Sequence, residues 1–112
     1  MKTAELTDIT LDWAVAIASG KRPSMFIFQQ TGKLSPEHNY STDWAQGGPI
    51  MDRENIEVKH HDVYVASIYY RDGIGSDECL FKATGPTMLV AAMRCYVASK
   101  LGDEITIPEE LL

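Results

Sequence analysis

The sequence lacks long hydrophobic runs and an export signal, and both absences narrow the class of protein. No stretch approaches the ~18 consecutive apolar residues that a membrane-spanning helix needs. Met1–Leu6 contains both Lys2 and Glu5 and leads into Asp8 and Asp12, so it lacks the basic and then apolar pattern of a secretory signal. The sequence therefore predicts a cytoplasmic protein with no membrane association.

Cysteine is scarce, and its placement excludes a disulfide framework. The two cysteines, Cys79 and Cys95, stand singly and form no CxxC pair. Cys95 falls inside a strongly helical pattern, where a thiol is expected to be buried and unreactive. The fold must therefore be stabilised by its hydrophobic core rather than by cross-links.

Basic residues are also in short supply, which opposes nucleic acid binding. Ten lysines and arginines face sixteen aspartates and glutamates, giving a net charge of -6. A protein gains affinity for a nucleic acid backbone by neutralising phosphates with a basic face. The predicted order of helix, strands and helix is similar to that of double-stranded RNA binders, but no lysine cluster opens the second helix.

No catalytic, metal or cofactor signature is present. The serines lack a Gly-x-Ser-x-Gly elbow, and Gly73-Ile74-Gly75 lacks the third glycine of a dinucleotide loop. His60 and His61 are adjacent on a predicted strand, so their side chains should point to opposite faces and not share one ion. The sequence predicts no catalytic residue, no metal and no cofactor, and it favours a non-enzymatic role.

Hydrophobic residues are present in ordinary amounts, at 45% of 112 residues, which predicts one folded domain over residues 1–112. A first helix is predicted over Thr7–Gly20, with a stripe of Ile9, Trp13 and Ile17 that should pack on a sheet. A second helix is predicted over Thr87–Leu101, ending at Gly102.

Short apolar or alternating segments predict the strands between these helices. They are Met25–Phe28, Ile56–Lys59, Val63–Arg71 and Cys79–Thr84, with a turn at Asp72–Asp77. Residues 29–53 are polar and rich in glycine and proline, which predicts a long loop. The elements predict a two-layer α+β fold, with an antiparallel sheet of three to four strands and two helices packed on one face.

The segment Ser41–Pro49 contains the most distinctive group of residues in the chain. It combines a carboxylate, an aromatic ring, an amide and two glycines that allow close backbone approach, a set suited to binding a peptide or a small polar ligand. The candidate binding residues are Asp43, Trp44, Gln46, Gly47 and Gly48. The alternative is structural, with Trp44 filling the core from a loop while Asp43 satisfies turn amides.

Arg94 is the other candidate binding residue, because it lies in an otherwise apolar helix. A partly buried guanidinium needs a carboxylate, and Asp43 is the favoured partner. The alternative is that Arg94 extends along its stem to solvent. A third feature is the hairpin aromatics Tyr64, Tyr69, Tyr70 and Phe81, which would form an interaction or homodimer surface if three of them were exposed.

Three stretches together resemble a known family. They are Met1–Thr7 with Leu11–Ala16, then Tyr40–Ile50, and finally Gly85–Gly102. These segments are similar to those of NinX-type proteins, which lambdoid phages and prophages encode among their small accessory genes. The resemblance implies an accessory role in the cytoplasm of the bacterial host during infection or lysogeny, and it implies no particular reaction or partner.

Two functional hypotheses follow from the sequence. The first is a phage accessory protein that binds a host or phage protein through the Asp43–Pro49 segment. The second is a small-molecule-binding domain or minor enzyme whose pocket is lined by Asp43, Trp44, Gln46 and Arg94. The two hypotheses differ in whether these four side chains converge on one concave pocket.

Overall fold

Four α-helices and three β-strands make up the regular structure of this computed structural model, which describes residues 1–71, 73–75 and 77–112. Short 3-10 helices lie near the two ends of the chain, at Thr3–Glu5 and Glu109–Leu111. In chain order the main elements are α1 Asp8–Ala18, α2 Met25–Thr31, α3 Trp44–Arg53, β1 Glu57–His61, β2 Val63–Arg71, β3 Asp77–Gly85 and α4 Met88–Leu101.

The three strands form one antiparallel sheet in the order β1-β2-β3. Glu57 pairs with Ser67 and Ile68 pairs with Phe81, and a bulge follows Ile68. Ala66 and Ile68 face the core. The predicted α+β class and the antiparallel sheet are therefore confirmed, while the predicted turn at 72–77 includes residues 72 and 76, which lie outside the described residues.

Helix α4 occupies the centre of the molecule. It packs against β2 and β3 on one side, and α1 and α3 pack against it from elsewhere. Close approach to the sheet requires Gly85, because a Cβ atom there would lie 2.7 Å from the amide nitrogen of Ala91. The prediction that two helices share one sheet face is not confirmed, since α1 packs mainly against α4.

Helix α1 buries a different stripe from the one that the sequence predicted. Leu11, Ala14 and Val15 are fully buried, whereas Ile9, Trp13 and Ile17 are only partly buried. These residues belong to the core that α1 shares with α4, and just beyond the end of α1 Ser19 Oγ lies 3.0 Å from the Tyr96 hydroxyl.

The predicted strand at Met25–Phe28 is wrong, because these residues begin the helix α2. Ser24 caps the helix by accepting a hydrogen bond from the Ile27 amide at 3.2 Å. Gly32 ends it in the left-handed conformation with φ 71°, a position that favours glycine. Phe26 is 71% exposed while Met25 and Phe28 pack against the core, so the apolar run belongs to a short helix with one side towards solvent and not to a buried strand.

The predicted loop over residues 29–53 is also wrong in its second half, where Trp44–Arg53 forms α3. Gly47, Gly48 and Pro49 all lie inside this helix, although glycine and proline are poor helix formers. Tertiary contacts of α3 override the low helix propensities of these three residues.

The two ends of the described chain are joined by main-chain hydrogen bonds. The Thr3 amide donates to the Asp103 carbonyl at 2.8 Å, and the Ile105 amide donates to the Met1 carbonyl at 3.0 Å. Ile107 and Leu111 are buried in the core beyond this pairing. Within the described residues, no helix combines the length and the apolar character needed to cross a bilayer.

Candidate binding site around Trp44

Asp43 sets the start of α3. Its backbone is extended, with φ −109° and ψ 111°, and its Oδ1 accepts a hydrogen bond from the Ala45 amide at 2.9 Å. This is the N-cap arrangement that aspartate favours, because it satisfies one of the free amides of the first helical turn. Asp43 therefore orients the helix that presents the rest of the segment.

Gln46 fixes the preceding loop to α3 through three hydrogen bonds. Its Nε2 donates to the Pro36 carbonyl at 2.8 Å and to Asp43 Oδ2 at 3.2 Å. Its Oε1 accepts from the Asn39 amide at 2.8 Å. With all of these groups engaged, Gln46 acts as a structural cross-link.

Gly47 is the point where α3 touches its neighbours most closely. A Cβ atom there would lie 2.4 Å from the Tyr40 carbonyl oxygen and 2.8 Å from Leu89 Cδ2. At Gly48 the nearest atom would be Trp44 Cε3, at 3.6 Å, which is an ordinary contact. Gly47 is therefore required by packing against the loop and α4, and Gly48 is not.

Trp44 presents its side chain to solvent. It is 53% exposed, so the expectation that it fills the core is wrong. Beside it lies a shallow pocket of about 240 Å³, whose lining residues are Ser41, Thr42, Trp44, Thr87, Met88 and Leu89. Met88 is itself 36% exposed.

The structure separates Arg94 from this surface. Arg94 Nε donates to the Leu6 carbonyl at 2.9 Å, and its Nη1 donates to the Thr84 carbonyl at 2.8 Å. The predicted pairing with Asp43 is wrong, because Asp43 uses its carboxylate for Ala45 and Gln46 instead. Asp43, Trp44, Gln46 and Arg94 therefore do not converge on one pocket.

Buried polar side chains lie behind the segment, and sequence reasoning missed them. Asp12 is 7% exposed, and its Oδ1 accepts a hydrogen bond from the Ser41 amide at 2.8 Å. Burial raises the pKa of Asp12, and the donors of Ser41 only partly offset this effect. Next to it, His38 is buried and its Nδ1 lies 3.0 Å from the Tyr40 hydroxyl.

A larger cleft of about 640 Å³ opens where the C-terminal ends of α1, α3 and α4 meet. Its floor includes the Tyr96 hydroxyl, which lies 3.0 Å from Ser19 Oγ and accepts a hydrogen bond from Arg53 at 3.4 Å. Glu54 pairs with Arg53 at 3.1 Å and with Lys100 at 2.9 Å. These cations lie at helix C-termini, where the helix dipole favours positive charge.

Comparison with known protein families identifies the chain. The family model described as bacteriophage P22, NinX matches residues 2–100. The chain belongs to the phage NinX family. Comparison with curated proteins gave no match.

We call the exposed Trp44 side chain and the residues that line the pocket beside it the Trp44 surface. All of these residues, from Ser41 to Leu89, lie within the matched range 2–100. It also includes Arg94 and the cleft residues up to Lys100. The buried residues Ile107 and Leu111 lie outside the matched range, although they belong to the same core.

The hairpin of this NinX-family chain does not present the aromatic surface that the sequence suggested. Of its four aromatic residues only Tyr70 is largely exposed, at 56%. Tyr64 and Phe81 pack against the core, and the Arg71 guanidinium lies over the Tyr69 ring at 5.1 Å from its centre. The proposed interaction or homodimer surface on the hairpin required three exposed aromatic residues, and this requirement is not met.

The Cys95 thiol and the His60 imidazole are held in structural positions, whereas the Cys79 thiol is exposed. Cys95 is fully buried, and burial raises the pKa of its thiol to about 12, so the thiolate needed for attack is not formed near neutral pH. Among residues 1–71, 73–75 and 77–112, no three metal-binding side chains come together. His60 instead stacks on Tyr64, with ring centres 4.5 Å apart.

Proposed function

We propose that this NinX-family protein is a phage accessory factor that acts in the cytoplasm of the bacterial host by binding a protein through Trp44. The observation that supports the proposal is the 53% exposure of Trp44 on a surface that is otherwise rigidly held. Tryptophan is enriched among the residues that contribute most to protein interfaces. Membership of a phage family supports the cellular context.

The surroundings of Trp44 have the composition of a small interface. Met88 supplies exposed apolar contact area, the buried Leu89 also lines the pocket, and Thr42 and Thr87 form a polar edge. The pocket beside the ring offers space for one side chain of a partner. Interfaces commonly combine an aromatic anchor, an adjoining apolar pocket and a polar rim in this way.

The rigidity of the segment favours binding. The Asp43 cap, the three hydrogen bonds of Gln46 and the tight packing of Gly47 all fix α3 before any partner arrives. A preorganised surface loses less conformational entropy on association than a flexible one. The segment thus divides its work, because three residues hold the helix in place and Trp44 makes the contact.

Photo-crosslinking tests the proposal directly. The amino acid p-benzoylphenylalanine would replace Trp44 in one variant and Phe26 in a matched control, since Phe26 is an exposed aromatic residue of α2. Irradiation of phage-infected host cells should yield one dominant protein adduct from position 44 and none of that mass from position 26. The adduct should also be absent from cells that carry only the unmodified chain.

A competition experiment complements the crosslinking. Excess wild-type chain should suppress the adduct, whereas a Trp44→Ala chain should not, after circular dichroism shows that both are folded. Equal suppression by both chains, or identical adducts from positions 44 and 26, would overturn the proposal. An adduct with twice the mass of the chain would show that the partner is a second copy of this protein and not a host or phage protein of another kind.

A second candidate function is small-molecule binding in the cleft at Tyr96. Its volume of about 640 Å³ falls within the range of roughly 300–1,000 Å³ that is usual for ligand sites. We rank it second because Arg53 and Lys100 both already form ion pairs with Glu54. A metabolite panel in a thermal-shift assay would test it, with Tyr96→Phe as the variant that should lose any stabilisation seen with the wild type.

A further inference from the structure

Arg94 differs from Arg53, Arg71 and Lys100 in how its positive charge is compensated. Arg53, Arg71 and Lys100 each pair with at least one carboxylate. Arg94 forms no ion pair with any described carboxylate, and its two hydrogen bonds end on neutral main-chain carbonyls. Because the chain has sixteen acidic residues, the absence of a partner is not due to a shortage of carboxylates.

The environment of Arg94 makes this arrangement costly. The side chain is partly buried, and burial lowers the pKa of its guanidinium with no opposing contribution from a neighbouring charge. A partly buried cation without an ion-pair partner is less favourable than a paired one. Within the described chain the Arg94 guanidinium bonds only to carbonyl oxygens, although Asp103 and Glu104 line the adjoining pocket.

A pocket of about 200 Å³ opens beside the guanidinium, between the N-terminal 3-10 helix, β3 and α4. Its walls are formed by small side chains, including Ala83 and Ala98, and Lys2 and Lys82 add positive charge. The two carbonyl hydrogen bonds hold the guanidinium plane in place while leaving other N–H groups of the fork available. Arginine is suited to bidentate recognition of planar oxyanions.

From this geometry we infer that Arg94 heads a binding pocket for a single carboxylate group. The pocket is too small for a drug-sized ligand but has room for an acidic side chain or a chain terminus. Asp103 and Glu104 also line it, so three cations face two acids and the local net charge is +1. A single carboxylate would bring this balance to zero and match the planar fork of Arg94.

The pocket is distinct from the Trp44 surface, because the two share no lining residue. The inference therefore does not depend on the proposed function and can succeed or fail separately. Carboxylate binding to Arg94 can be measured without the partner of the Trp44 surface.

Nuclear magnetic resonance of the full 15N-labelled chain tests the inference through the Arg94 Nε–H signal, which the hydrogen bond to Leu6 should protect from exchange. Propionate serves as the side-chain probe and N-acetylglycine as the chain-terminus probe. Inorganic phosphate and chloride are compared with them at constant ionic strength. We expect a saturable shift of the Arg94 signal with at least one carboxylate, with a dissociation constant of about 10 mM or lower.

Two variants locate the binding. Arg94→Gln should weaken it at least tenfold, but this change also removes two structural hydrogen bonds. Ala98→Leu keeps Arg94 and its bonds and fills the pocket instead, so it should abolish the saturable shift in a chain whose spectrum is otherwise native. Lys100→Gln is the matched control, since it removes one positive charge from the same helix outside the pocket.

The results divide clearly. Loss of binding in Ala98→Leu with retention in Lys100→Gln supports the carboxylate pocket, and the tighter of the two carboxylate probes identifies the source of the group. Undiminished binding in Ala98→Leu, equal effects of chloride, tighter binding of phosphate, or no saturable shift in the wild type would each overturn the inference.

Discussion

At the scale of single residues, the two neighbouring glycines of α3 provide a matched test of packing. Gly47→Ala would place Cβ 2.4 Å from the Tyr40 carbonyl oxygen, a contact that the backbone must move to relieve. We expect the free energy of unfolding to fall by about 2–4 kcal/mol. Gly48→Ala meets only Trp44 Cε3 at 3.6 Å and should gain up to about 1 kcal/mol from helix propensity.

Urea unfolding followed by circular dichroism measures both changes under identical conditions. The prediction requires opposite signs at adjacent positions, which no general intolerance of the segment to substitution would produce. Equal destabilisation by the two variants would show that close packing is not what selects glycine at position 47.

Two carboxylates should give this protein opposing pH responses. Burial raises the pKa of Asp12 above its ordinary value of 3.8, so the folded state binds that proton more tightly than the unfolded state. Its contribution to the free energy of unfolding therefore decreases as pH rises from the ordinary carboxyl pKa through the raised one. The pKa of Glu54 is lowered, chiefly by its hydrogen bond from Lys100, so its contribution is full above about pH 4.5 and is lost as pH falls.

Variants separate these two effects. Relative to the wild type, Asp12→Asn should become more stable as pH increases from about 4 to 7, because the cost of burying a charge is removed. Glu54→Gln should instead lose stability relative to the wild type as pH rises towards about 4.5, and the difference should then stay constant. Denaturant titrations at a series of pH values measure both differences, and the same sign for the two variants would contradict the assignment.

At the scale of elements, α3 depends on its cap. Asp43→Ala removes the hydrogen bond to the Ala45 amide and should cost about 1 kcal/mol, whereas Asp43→Asn retains a capping oxygen and should cost much less.

Asp43→Ala and Arg94→Gln should also be additive within about 0.5 kcal/mol, because their side chains share no contact. A coupling clearly above that value in a double-mutant cycle would revive the ion pair that the structure lacks.

The elements also show where sequence reasoning succeeded. Helix α4 and the strands β2 and β3 were predicted nearly in place, because alternation and helical periodicity are strong there and Gly102 ends the helix. Helix α2 was misread as a strand although both of its boundaries are written in the sequence, with Ser24 as the cap and Gly32 as the stop. Its short apolar run outweighed those signals.

Helix α3 failed for a different reason. Two glycines and a proline argue locally against a helix, and they are tolerated only because Gln46 binds the loop at Pro36 and Asn39 and because Gly47 fits against Tyr40. Those contacts are tertiary and cannot be read from local propensity. The same contacts give Asp43, Gln46 and Gly47 structural roles and leave the Trp44 side chain exposed to solvent.

At the scale of the whole molecule, the chain extends 52 Å along its longest axis and about half of that across the others. The Trp44 surface and the Arg94 pocket both border α4, which also packs against β2 and β3. The stability of the fold and the two proposed binding sites therefore depend on the same central helix.

The C-terminal tail should be part of that single core. Ile107 is 6% exposed and belongs to the same buried cluster as α1 and α4, beyond the range matched by the family model. Ile107→Ala should lower the free energy of unfolding by about 2–4 kcal/mol, because it removes buried apolar volume and leaves a cavity. The exposed neighbour Thr106→Ala should change it by no more than about 0.5 kcal/mol.

Hydrogen exchange extends this test from one site to the whole fold. If the tail is integral, Ile107→Ala should lower protection in α1 and α4 by the same free energy that urea unfolding reports, since the core then opens as one unit. Loss of protection confined to residues 103–112, with α4 unchanged, would show that the tail docks on a core that is stable without it.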